Sequence, residues 1–188
     1  NPNRIVSFSS IESKYSSLLS NNLLSGVLFL CQQQVSINEN LAGLKHLNRL
    51  ENVLARNEWN DAAAAQGSEI IDGVMLNANQ HIIEGTMSNI FAVKNQQIFT
   101  PGLMLSGVDG IMRNVVMDLA SENNISVANV NLSLNELLTM DEVFICNSLI
   151  GMKAVTTFQG TTYKDTHISQ ININALFLTT NKYVKNTN

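Results

Sequence analysis

The sequence predicts a mixed α/β domain with many short strands, and three observations predict it. Between Glu69 and Phe99, short apolar runs alternate with polar punctuation at Asn77-Ala78-Asn79, Gly85-Thr86 and Lys94-Asn95-Gln96, a pattern of strands joined by tight turns. On either side of this block apolar residues recur at helical spacing, at Leu47, Leu50, Val53 and Leu54 and again at Ile111, Val115, Val116 and Leu119. Helices interspersed among hairpin-like turns argue for a mixed arrangement rather than a strict βαβ array. A chain of 188 residues can bury a sizeable core and is expected to form one domain over 1–188.

In chain order, Arg4 to Ser9 reads as a short strand and Ile11 to Asn22 as a polar-faced helix. Ser25 to Gln33 is a continuous apolar run between polar clusters, which suits a buried strand. Asn38 to Lys45 is loop, with Gly43 supplying backbone freedom two residues before the lysine. The helix that follows is expected to stop near Gly67. Strands are then predicted at Glu69 to Asn77, His81 to Glu84, Ser88 to Val93 and Gln97 to Phe99. Asp109 to Ser121 is helical, Ser126 to Leu132 a strand and Leu134 to Thr139 a short helix. Val143 to Asn147 and Lys153 to Phe158 are two further strands, and Ile168 to Val184 has helical spacing.

Composition excludes several classes of function. Apolar residues make up 45% of the chain and charged ones 14%, with a formal net charge of -4, which is ordinary for a globular protein. No basic run is present, which argues against a nucleic-acid partner. No stretch reaches the ~18 consecutive apolar residues of a membrane span. Cys31 and Cys146 lie inside apolar runs and read as buried reduced thiols, so a cytoplasmic location is expected. No set of His, Cys and carboxylates has metal-ligand spacing, so no metal is expected. The absence of a Gly-x-Ser-x-Gly elbow leaves a serine hydrolase unsupported. The opening Asn1-Pro2-Asn3-Arg4 has no methionine and no signal-peptide pattern, and residues 1–4 read as a linker entering the domain.

Three segments carry chemistry. In Leu41-Ala-Gly-Leu-Lys45-His-Leu-Asn-Arg-Leu-Glu51 a lysine stands among apolar neighbours just before a helix. Burying an ammonium there is costly unless it is paired, neutralised or consumed, as it is in a Schiff base. In Ile83-Glu84-Gly-Thr-Met-Ser88-Asn89-Ile-Phe91 an acid precedes a small-residue turn. Glu84 is either a solvated strand end or a buried carboxylate that needs a cationic partner. In Ser106-Gly107-Val108-Asp109-Gly110-Ile-Met-Arg113 two glycines open a helix whose free N–H groups favour an anion such as phosphate. The spacing is not that of a P-loop, and Asp109 also reads simply as an N-cap or first-turn acid. His46 is expected to point away from Lys45, and Arg49 reads as a helix-face charge paired with Glu51 or Glu58.

Together these segments resemble the fold-type IV pyridoxal-phosphate enzymes, which include branched-chain aminotransferases, D-amino-acid aminotransferases and aminodeoxychorismate lyases. Glu84 to Phe91 is similar to the acidic strand-turn-strand motif of that group, and Gly107 to Gly110 to its phosphate-binding helix start. Residues 41–51, 107–113 and Asp141 to Leu149 resemble the aminodeoxychorismate lyase branch in particular. The resemblance implies a strand-rich pseudo-barrel with flanking helices, the large cofactor domain of the group, with the smaller N-terminal domain absent. It implies pyridoxal 5'-phosphate as cofactor and Lys45 as the Schiff-base lysine and proton carrier. Glu84 would pair with the pyridine nitrogen, and Ser88 and Asn89 fall within the same cofactor-binding motif. The N–H groups of Val108 and Asp109 would bind phosphate, helped by Asn147 or Ser148. The implied reaction converts 4-amino-4-deoxychorismate, a small-molecule substrate, into 4-aminobenzoate and pyruvate on the way to folate, in a homodimer. Leu50 stands where branched-chain aminotransferases carry a tyrosine five residues after the lysine, which disfavours that activity. An aminotransferase of the same fold and a non-catalytic fragment are the competing readings.

Overall fold

The computed structural model describes residues 24–66, 70–164, 166–171 and 174. The expected strand at Arg4 to Ser9, the helix at Ile11 to Asn22, the helix stop at Gly67 and the tail beyond 174 lie outside those residues. Within them the elements run β1 (Leu24–Leu30), α1 (Leu50–Gln66), β2 (Ile70–Leu76), β3 (His81–Gly85), β4 (Asn89–Lys94) and β5 (Gln97–Pro101). They continue with α2 (Ile111–Glu122), β6 (Val127–Val130), β7 (Leu132–Ser133), α3 (Leu134–Leu138), β8 (Glu142–Asn147), β9 (Gly151–Phe158) and β10 (Thr161–Thr162). A further helical stretch occupies 167–171.

The strands make one sheet in the order β6-β5-β4-β8-β9-β1-β2-β3-β7, with β10 paired to β9. β6 and β7 are opposite edges of that order, yet Asn131 alone separates them in the chain. The sheet must therefore curl until its edges approach, which gives the expected strand-rich pseudo-barrel. The single strand predicted from Ser126 to Leu132 is thus two strands on opposite edges, with the break at the residue that crosses between them. β10, a two-residue return after the Gln159-Gly160 turn, is too short to leave a periodic signal in the sequence.

Side chains alternate between the two faces of the central strands. Ile90 and Ala92 of β4, with Val143 and Ile145 of β8, join the core of Val74, Ile82, Leu132, Leu137 and Phe158. Their neighbours Phe91, Val93, Phe144 and Cys146 face the other way and pack with Val116, Leu119 and Ala120 of α2. Burial on both faces is why these strands read as continuous apolar runs. Phe91 and Phe144 are paired across the ladder and stack with ring centroids 5.0 Å apart. Glu142 is buried and accepts from the N–H groups of Ile168 and Ser169 and from the Ser169 hydroxyl, fastening the 167–171 turn to the sheet.

α1 departs from the sequence reading. Leu47, Leu50, Val53 and Leu54, whose spacing predicts the helix, are exposed. Its inward face is Ala55 and Trp59, packed with Cys31, Val35, Ile70, Met75 and Ile83. Both cysteines are buried free thiols, and burial pushes each up to about 12.

Candidate functional site

The three chemistry-bearing segments meet at Val108. The loop before α1 reaches it through a short parallel bridge: the Gly43 N–H donates to the Gly107 carbonyl and the Asp109 N–H to the Gly43 carbonyl, both at 2.9 Å. The Val108 N–H donates to Glu84 Oε2 at 2.8 Å, and the Val108 carbonyl accepts from Asn89 Nδ2 at 2.8 Å. Gly107 has φ +89, and a side chain there would collide with Ile83 and Leu103. That conformation and that contact both require glycine.

Glu84, the penultimate residue of β3, has its side chain 4% exposed, so it is the buried, paired carboxylate and not a solvated strand end. Oε1 accepts from Arg49 Nη1 at 3.1 Å and from Asn52 Nδ2 at 3.4 Å. Burial pushes this carboxyl up, while the Arg49 guanidinium, the Val108 N–H, the Asn52 amide and the Lys45 ammonium push it back. Arg49 therefore pairs with Glu84 and not with Glu51 or Glu58. Glu51 instead accepts from the Ser36 N–H and hydroxyl, and Glu58 from the N–H groups of Gln32 and Gln33.

Lys45 is exposed, contrary to the expectation of an ammonium held among apolar groups. The apolar residues that flank it in sequence, Leu41, Leu44 and Leu47, are themselves exposed, so proximity along the chain does not translate into enclosure. His46 turns inward instead. Its Nδ1 is buried without a partner, as is Ser106 Oγ, and both residues line a cavity of about 240 Å³ with Asn38, Asn48 and Arg49.

The turn from Gly85 to Ser88 is held from beneath by Asp72, a residue of β2 that is 0% exposed. Asp72 Oδ1 accepts from the Thr86 hydroxyl at 2.5 Å, the Gly73 N–H at 2.8 Å and the Thr86 N–H at 3.1 Å. Its Oδ2 accepts from the Ser88 hydroxyl at 2.5 Å and the Met87 N–H at 3.4 Å. Burial pushes the Asp72 carboxyl up, against the pull of these donors. Sequence reasoning missed Asp72, Asn52 and the partner of Arg49. The available signal was an acid inside the otherwise apolar run Ile70 to Leu76, and the three-residue spacing of Arg49 and Asn52 at the start of a helix.

The backbone donors expected to receive an anion are engaged within the protein. The N–H groups of Val108 and Asp109 are already bonded to Glu84 and Gly43. The N-cap of α2 is Gly110 and not Asp109, and no side chain caps it. The helix begins at Ile111, and its first intrahelical bond runs from the Asn114 N–H to the Gly110 carbonyl, so the N–H groups of Ile111, Met112 and Arg113 are left without intrahelical acceptors. A side chain on Gly110 would collide with Asn89 Oδ1. Asp109 Oδ1 accepts from Arg113 Nη1 at 3.1 Å. Ser88 and Asn89 are buried and engaged with Asp72 and Val108, so they shape the site from behind. Asn147 donates to the Met87 carbonyl and accepts from the N–H groups of Leu149 and Ile150, building the β8–β9 turn on which Ser148 stands exposed.

Among the described residues no His, Cys, Asp and Glu cluster could hold a metal ion, and no helix is long and apolar enough to cross a membrane. Residues 2–158 match the amino-transferase class IV family. The chain is 44% identical over 129 residues to the aminodeoxychorismate lyase of Vibrio harveyi, an alignment that covers 69% of this chain and 45% of that protein. It is 32% identical over 119 residues to the D-alanine aminotransferase of Bacillus licheniformis, covering 63% of this chain and 40% of that protein. Its structure is similar to that of 4-amino-4-deoxychorismate lyase from Pseudomonas aeruginosa, with a TM-score of 0.71 and 34% identity, over 79% of this chain and 54% of that one. The chain thus spans about half the length of the relatives it matches.

Proposed function

The chain belongs to the amino-transferase class IV family, and from that premise we propose that it forms the cofactor-holding part of a pyridoxal-phosphate-dependent lyase converting 4-amino-4-deoxychorismate to 4-aminobenzoate and pyruvate. The observation that carries the reading is the junction at Val108, which draws the Lys45 loop, Glu84 and the start of α2 into one site. The identity to the Vibrio lyase favours this reaction over transamination. So does the place of Leu50, which is exposed while Arg49 beside it faces Glu84.

The residues present fit the cofactor. Lys45 would bond it through Nζ, Glu84 would accept from its ring nitrogen, and the N–H groups of Ile111 and Met112 would receive its phosphate, with the exposed Ser148 hydroxyl a further candidate donor. Val108 and Asp109 serve by orienting Glu84 and tethering the Lys45 loop, and Ser88, Asn89 and Asn147 by fixing the adjoining turns. Bound pyridoxal phosphate supplies an electron sink for negative charge developing on the carbon that bears the substrate amine. Lys45 Nζ would be the base that takes the proton from that carbon. As the enolpyruvyl C–O bond breaks, the same nitrogen returns a proton to the leaving group. Glu84, held by Arg49, Asn52 and Val108, would keep the ring nitrogen protonated.

Homodimerisation is part of the proposal, supported by the exposed Leu50, Val53 and Leu54 on α1 and Leu47 just ahead of it. A cytoplasmic location is supported by the two free thiols. Mixing the protein with pyridoxal phosphate should produce the visible absorbance of a protonated imine, and borohydride should fix the label on Lys45. Aminodeoxychorismate should then yield pyruvate stoichiometric with 4-aminobenzoate. Keto-acid-dependent amino transfer without those products would replace the lyase with an aminotransferase. Equal labelling of Lys45→Ala would remove the assignment of the lysine, and no uptake of cofactor would leave a non-catalytic fragment.

A further inference from the structure

A carboxylate presents four lone-pair sites, two on each oxygen, and the structure shows which of them Glu84 has left. Oε1 is filled by Arg49 Nη1 and Asn52 Nδ2. Oε2 takes the Val108 N–H, which leaves one acceptor site, on Oε2. The second arm of the Arg49 fork does not rest on Glu84: Nη2 donates to the carbonyl of Leu44 at 3.1 Å, the residue just before Lys45. One planar guanidinium thus grips the buried carboxylate and the backbone of the lysine loop together.

We propose that Arg49 is a positioning residue, fixing Glu84 and the Lys45 loop in one grip so that Oε2 of Glu84 offers a single acceptor site to the ring nitrogen of a cofactor bound at Lys45. The inference rests on the cofactor reading above. Its physical basis is the shape of arginine: the fork serves two acceptors at fixed separation, whereas a lysine ammonium is a point charge on a flexible stem. The charged groups acting on Glu84 are Arg49 and Lys45, and burial acts against both. Without the guanidinium, the carboxyl at 4% exposure tends to take a proton. A protonated Oε2 can no longer accept from a ring N–H. Asn52 also donates to the Thr86 carbonyl at 3.3 Å, so the turn beyond Glu84 is tied to the same grip.

The test is carbon NMR of glutamate carboxyls in the cofactor-free protein, with Glu84 assigned through Glu84→Gln, alongside pyridoxal-phosphate affinity and borohydride trapping. Arg49→Met should move the Glu84 titration to higher pH and weaken cofactor binding by about tenfold or more, the worth of a hydrogen bond to a charged group. Arg49→Lys should restore the titration towards wild type while leaving affinity reduced, because the Leu44 contact is not rebuilt. An Arg49→Met protein with wild-type titration and affinity would overturn the grip. Full recovery of affinity in Arg49→Lys would show that charge alone suffices, and would overturn the two-acceptor role even if Arg49→Met does not fold. Wild-type protein that takes up no pyridoxal phosphate would sink the cofactor reading, while the titration would still decide whether Arg49 governs Glu84.

Discussion

Replacing Asp72 by alanine should cost this protein about 3–6 kcal/mol of stability, a figure that follows from counting donors. The side chain is 0% exposed and accepts from five of them. The Thr86 N–H keeps a second acceptor, the Gly73 carbonyl at 2.9 Å, and the Met87 N–H is weakly held at 3.4 Å. Three buried donors are left with nothing: the Gly73 N–H and the hydroxyls of Thr86 and Ser88. At about 1–3 kcal/mol for each unsatisfied donor the sum is about 3–9 kcal/mol, and water entering the vacated space brings it to the lower half of that range. Against a typical total of about 5–15 kcal/mol this is a severe loss. Urea unfolding followed by Trp59 fluorescence is the assay. That indole donates to Thr86 Oγ1, so it reports on the very turn that Asp72 supports. The midpoint should fall with an unchanged slope. Asp72→Asn, which retains Oδ1 but turns an amide towards the Met87 N–H, should lose about 1–3 kcal/mol. A loss below about 1 kcal/mol in the alanine variant would refute the donor count.

Other expectations follow from single contacts. Gly110→Ala should destabilise by about 1–3 kcal/mol, because the added methyl group meets Asn89 Oδ1 while φ -70 and ψ 139 already suit alanine. Thermal unfolding of Gly110→Ala combined with Asn89→Ala should show less than the sum of the two losses, and strict additivity would place the strain elsewhere. Asp141 is held below the usual carboxylate range first by the hydrogen bond from Lys94 and then by the Asn95 N–H. Its folded value lies under its unfolded one, so the stabilisation is present above the carboxylate range and is lost as pH falls through the folded value. The melting temperature of Asp141→Asn should therefore depend less on pH than wild type below about pH 4, and identical profiles would count against the pair.

Local pattern made most of the strands and both long helices legible, because β4 and β8 carry continuous apolar runs at Ile90 to Val93 and Val143 to Cys146 and α2 keeps one face on the sheet. It misled at α1, where a row of leucine and valine at helical spacing correctly announces a helix but not which face is inward; Ala55 and Trp59 bury that helix with far less hydrophobic signal. It failed at Asn131, since nothing local tells a strand that its second half belongs to the opposite edge of a curled sheet. The site was legible in its parts and not in its wiring. Lys45, Glu84 and the Gly107 to Gly110 turn stand out by residue type, but the backbone donors expected to face a ligand turn inward. The Val108 and Asp109 N–H groups sit ahead of the helix, where neighbouring segments can claim them, whereas the donors of Ile111 and Met112 project from an uncapped end.

The contrast between an exposed Lys45 and a buried Glu84 fits the different demands that their proposed roles place on the two side chains. A lysine that must bond a cofactor, yield it to a substrate amine and then move a proton needs an open approach and freedom to turn. A carboxylate that must keep one charge state and one orientation needs enclosure, and enclosure of a charge is tolerable only with partners. The fold meets both demands by anchoring the lysine through backbone, at Gly43 and Leu44, and not through its own ammonium. Glu84 is anchored through its carboxylate atoms, by Arg49, Asn52 and Val108. The loop is therefore fixed in place while the Lys45 side chain stays exposed, and Val108 and Arg49 are the two points at which that fixed backbone and that buried carboxylate are joined.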